Sequence, residues 1–67
     1  MTLYELLLKT AHETPVLLQQ DGKDPCKGTV AQILDNNHKT RLSQVIVESL
    51  QLNPVVDNEI IIYCLGL

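Results

Sequence analysis

The chain has 67 residues, five basic against eight acidic side chains and a formal net charge of −3. A chain this short buries only about 60% of its unfolded surface. It therefore reads as one domain, residues 1–67, with little room for an enclosed catalytic cavity of a few hundred Å3. Lys and Arg do not cluster, which argues against direct nucleic-acid binding, and no apolar run approaches the roughly 20 residues that span a bilayer.

Thr2 followed three residues later by Glu5 is a capping box. It heads "TLYELLLKTA", where Leu3, Leu6, Leu7, Thr10 and Ala11 recur at helical spacing. Thr14-Pro15 closes that helix, because a residue before proline avoids the α region. "PVLLQQ" then predicts a strand, Asp21-Gly22 a hairpin turn, and "CKGTV" a short returning strand. A second capping box, Thr29 with Gln32, opens a two-turn helix in "TVAQILDN", with Val30, Ile33 and Leu34 facing inward. "DNNHKT" reads as a polar loop. From Ser43 the period becomes two: Ile46, Glu48, Leu50 and Leu52 share one face, and Val45, Val47, Ser49 and Gln51 the other. Asn53-Pro54 and Asp57-Asn58 supply a turn, and "EIIIYCLGL" is the last strand.

The expected fold is α+β, in the order α-β-β-α-β-β. Two short helices lie on one face of a small, mainly antiparallel sheet in a two-layer sandwich. With neither Trp nor Phe present, Leu, Ile and Val with Tyr4 and Tyr63 must build the core. The last strand poses a difficulty, since it is apolar on both sides and such strands are normally buried on both. Two helices cover one face only. The expectation is that Ile61, Tyr63 and Leu65, together with Val45 and Val47 or the alternate set, meet a second copy in a dimer or larger oligomer. The alternative is that the second helix and "LNPVV" wrap round the sheet, or that the chain tolerates an exposed apolar patch.

Two stretches attract attention for binding. In "KGTV", Lys27 and Thr29 precede a helix N-terminus, which favours anions, although no glycine-rich phosphate loop accompanies them. "NNHKTR" concentrates His38, Lys39 and Arg41, as recognition loops on rigid scaffolds do. The simpler readings are a helix cap and a solvated connection. No nucleophile is placed beside a base and an orienting group, so no catalytic residue is assigned and an enzyme is not expected. Cys26 and Cys64 fit neither a CxxC pattern nor a metal spacing with the two histidines. Neither metal nor cofactor is expected. With no secretory leader apparent, the expectation is a cytoplasmic protein with reduced thiols, a Cys26–Cys64 disulfide being the alternative.

"MTLYELL", "TPVLLQ" with its hairpin, "GTVAQIL", "RLSQVIVESL" and the closing "EIIIY" together resemble a group of short proteins of phages and prophages of Gram-positive bacteria. The resemblance runs along nearly the whole chain, and "TLYELL" is its most specific piece. It carries over no catalytic residues. "DGKDPCKG" stands where the group has a simpler charged turn, so no role for Cys26 carries over either. The resemblance implies a small protein that works in the host cytoplasm by stoichiometric binding, most simply as an inhibitor of an anti-phage defence protein. The alternative is a homo-oligomeric sponge for a nucleotide immune signal, with Lys27, Thr29, His38, Lys39, Arg41 and Tyr63 as contacts.

Overall fold

A computed structural model describes all residues, 1–67. The chain forms α1 (Leu3–Leu8), β1 (Pro15–Gln19), β2 (Cys26–Thr29), α2 (Val30–Asn36), α3 (Lys39–Ser43), β3 (Ile46–Leu52) and β4 (Ile60–Leu65). Both capping boxes form. Thr2 Oγ1 accepts from Glu5 N at 3.2 Å while Glu5 Oε1 accepts from Thr2 N at 3.1 Å. Thr29 Oγ1 accepts from Gln32 N at 3.2 Å, and Gln32 Oε1 from Thr29 N at 2.9 Å. The bonds from the Thr2 backbone and hydroxyl hold the Glu5 carboxyl below its ordinary pKa. At the Asp21-Gly22 turn, Gly22 takes a φ of 79°, the left-handed geometry that glycine adopts without strain.

Two antiparallel hairpins, β1–β2 and β3–β4, meet along a parallel junction of β1 and β4, giving the sheet order β2-β1-β4-β3. The helices pack on one face. Leu3 and Leu7 of α1, Val30 and Ile33 of α2 and Leu42 of α3 lie against Val16 and Leu18 of β1 and Ile62 and Cys64 of β4. Each such side chain removed from water contributes about 1.5–3 kcal/mol. Cys64 is buried and Cys26 exposed, and neither forms a disulfide.

Helix α1 ends at Leu8, well short of Thr14-Pro15, and Ala11 lies exposed beyond it. Two further departures from the sequence reading are larger. The stretch expected as a polar loop turns helical at Lys39, so three helices rather than two make the covering layer. Leu42 anchors α3 in the core, while His38 occupies the N-cap without a side-chain bond. The second departure is a β-bulge between Val47 and Ser49, where the register against β4 shifts. Before it, Val47 lies opposite Cys64; after it, Leu50 lies opposite Ile62 and Leu52 opposite Ile60. Strict alternation therefore fails. Val47, Leu50 and Leu52 face the helix side with buried Val45, whereas Ile46, Glu48, Ser49 and Gln51 turn to the open face. The bulge inserts one residue and reverses the parity of every position after it. Val45 and Val47 thus do not share a face with Ile61, Tyr63 and Leu65: Val45 is fully buried and Val47 packs against the core.

Candidate functional site

The open face of the sheet is built in cross-strand rows. Leu17 sits between Lys27 of β2 and Ile61 of β4, and Gln51 of β3 completes that row. In the next row Tyr63 lies between Gln19 and Ser49, and beyond it Leu65 pairs with Ile46. Although no helix covers this face, its centre is not bare. Ile61 is 8% exposed and Tyr63 is half-buried, each lying between residues of both adjoining strands. Leu65, at the end of the strand, is 52% exposed.

Glu59, at the entry to β4, is the one buried charged residue. Its Oε1 accepts from Asn53 Nδ2 at 2.7 Å, and its Oε2 lies 3.5 Å from Lys27 Nζ, an ion pair that lacks hydrogen-bond geometry. A buried carboxylate is stable only when paired and bonded. These two partners hold Glu59 and tie β2 to the β3–β4 turn.

At the other end of the open face is a depression of about 300 Å3, lined by Gln19, Gln20, Asp21, Glu48, Ser49, Gln51, Tyr63, Cys64 and Leu65. Two carboxylates and three side-chain amides surround the tyrosine, and no basic side chain lines it. The bulge brings Glu48 to this rim, since it places two successive residues, Glu48 and Ser49, toward the same face. A second, smaller depression of about 180 Å3 opens on the helix side, between the β1–β2 turn and α3. Leu18, Leu42 and Val45 contribute to its lining, as do Lys23 and Arg41.

The six residues singled out from the sequence do not form one site. Lys27 and Tyr63 lie on the open face, Lys27 paired with Glu59. His38, Lys39 and Arg41 stand on or beside α3 in the helix layer, with Lys39 Nζ 5.6 Å from the centre of the Tyr4 ring. Thr29 is spent on its cap. The first-turn donors of α2 are likewise used inside the chain: Thr29 N bonds Gln32, Val30 N bonds Thr14 O, Ala31 N bonds His12 O and Gln32 N bonds Thr29. That turn presents no free N–H to a phosphate.

The outer edge of β3 is the other feature of note. Leu3 N donates to Val45 O at 2.7 Å and Val47 N to Met1 O at 3.0 Å, so the first residues cover the beginning of the strand. Past Val47 the edge has no protein neighbour, and Leu50 and Leu52 are 48% and 74% exposed on the helix side, where the helices do not reach. Residues past the bulge gave no sequence signal of their own, because a bulge has no fixed composition. A single acidic residue at a strand entry likewise did not mark Glu59 as buried. Compared with known proteins, the chain matches no family model, no curated protein and no solved structure. No helix is long and apolar enough to cross a membrane.

Proposed function

We propose that the protein acts by stoichiometric binding of another protein, which docks along the free edge of β3. One observation carries the reading. Of the exposed large apolar side chains, Ile46, Leu50, Leu52, Val55, Val56 and Leu65 lie on β3, the turn after it or the end of β4, leaving only Met1 and Leu8 elsewhere. An edge strand offers a row of unpaired backbone groups, and proteins that do not use such an edge blunt it with charges, proline or a bulge. β3 carries one charge, Glu48, and one bulge, both at the start of the uncovered stretch, while Leu50 to Leu52 beyond them carry neither charge nor proline. Addition of a partner strand supplies main-chain hydrogen bonds, and alternate side chains supply specificity.

The resemblance to short phage proteins gives the partner a class: a host protein of anti-phage defence, which the bound chain inhibits. The nucleotide-trap reading has less behind it, because Lys27 pairs with Glu59, the six contacts do not converge and the α2 first turn is satisfied internally. Self-association stays within the proposal as a second occupant of the same edge, with Tyr63 and Leu65 on its margin.

The test uses capture from a lysate of a Gram-positive host with two baits, the native chain and Leu50→Lys/Leu52→Lys. Both replaced positions are exposed, so the fold is kept, as far-UV circular dichroism would verify. One protein held at equal stoichiometry by the native bait and lost with the variant supports β3 docking. Equal recovery by both baits, or none by either, overturns it. Light scattering across a concentration range then separates a foreign partner from a second copy.

A further inference from the structure

Resting on that reading of the β3 edge, we infer that the docked segment is an extended strand in which basic side chains alternate with apolar ones, the basic ones lodging over Tyr63. A strand added beside β3 sends successive side chains to opposite faces. On the helix side they meet Leu50 and Leu52, both exposed. On the open side they meet the depression around Tyr63, whose rim carries Asp21 and Glu48 and no basic group.

Two strand spacings, roughly 10 Å, separate an added strand from β4. An arginine side chain reaching over Ser49 and the tyrosine ring rising from β4 together bridge that distance. A guanidinium there stacks on the face of an aromatic ring and pairs with the carboxylate of Glu48. Lys27, on the same face, pairs with Glu59 at the opposite end of β4, and no basic side chain lines the acidic rim. Charge also decides between a foreign strand and a second copy. A second β3 would present only Glu48, of the same sign as the rim, whereas a basic segment is attracted to it and to a chain of net charge −3.

The experiment titrates the isotopically labelled full chain with three synthetic hexapeptides and follows its amide resonances. One peptide alternates arginine with valine, one alternates glutamate with valine, and one is the arginine peptide with a central proline. The arginine–valine peptide is expected to shift Gln19, Asp21, Glu48 to Leu52 and Tyr63. The glutamate peptide should bind more weakly, and the proline peptide should fail because it cannot complete the ladder. Glu48→Gln and Asp21→Asn, both exposed, should each weaken the arginine peptide by about twofold to fivefold. Equal shifts of β3 amides by the arginine and glutamate peptides would overturn the basic-strand inference and leave edge docking standing. Shifts spread over Glu5, Glu13, Asp35 and Asp57 would overturn it as diffuse charge attraction. No shift at β3 with any peptide would overturn both.

Discussion

The two hairpins have the same design and opposite surfaces. β1–β2 ends in a four-residue edge strand that reads Cys-Lys-Gly-Thr, preceded by a proline and followed at once by α2. Gln32 fills the space over Gly28, its Oε1 lying 3.0 Å from where a Cβ would stand. A charge, a proline and a short strand are the common ways of blunting an edge. β3–β4 ends instead in a seven-residue edge strand, covered for its first part only, with Leu50 and Leu52 exposed beyond it. One edge is closed off by its own sequence, while the other is open. Length, not charge or topology, makes the difference, since each strand carries a single charge and both are outermost in the same sheet.

The largest expected effect tests whether that openness is real. Ile62 and Leu52 point to the same side of the sheet, one in the core and one 74% exposed. Ile62→Ala should cost about 2–5 kcal/mol in urea unfolding, and Leu52→Ala less than about 0.5 kcal/mol. A comparable loss at Leu52 would mean that the helices cover β3 after all.

A smaller effect concerns the one ion pair, which joins the blunted hairpin to the β3–β4 turn. Glu59→Ala leaves Asn53 Nδ2 without its partner and should destabilise by about 1–3 kcal/mol. Glu48→Ala, on the open edge, should change stability by less than about 0.5 kcal/mol. If the two losses were equal, Glu59 would not be the tie between β2 and the β3–β4 turn.

The finest distinction is between the thiols. Cys26 on β2 is exposed, and Cys64 on β4 is 3% exposed with its pKa pushed up to about 11 by burial. At pH 8, iodoacetamide should modify Cys26 in the native chain and Cys64 only on unfolding. The unfolded thiol ionises near pH 9 while the folded one stays neutral. The stability linked to Cys64 is therefore complete below pH 9 and declines as pH rises toward 11. Cys64→Ala should flatten that decline, and mass spectrometry with unfolding curves at both pH values checks the pair of outcomes.

What was legible in the residues is what local chemistry fixes. Thr2 with Glu5 and Thr29 with Gln32 announce two helices because a capping box is a reciprocal pair of bonds within four residues. Asp21-Gly22 announces its turn because one conformation suits glycine. α3 was not legible: five residues carry a single buried side chain, too few to show a helical period. The bulge was missed for a related reason, since alternation from Val45 to Leu52 looks unbroken when pairing partners are unknown. Alternation along β4 puts Tyr63 on one face with Ile61 and Leu65, and the structure makes that the open face. The neighbours of Tyr63 were not foreseen, because the end of β1, with Gln19 and Asp21, and β3, with Glu48, reach it only through their separate pairings with β4.

The bonds between the first residues and β3 bear on how the chain should be handled. Thr2 lies opposite Ile46 and Met1 O is bonded by Val47 N, with the two segments antiparallel. Residues added ahead of Met1 would continue in that direction, alongside Glu48 and the stretch that follows. An affinity tag fused there would lie along the docking edge as a built-in competitor, and a pull-down made with it would come back empty. Fusion after Leu67 leaves the edge clear.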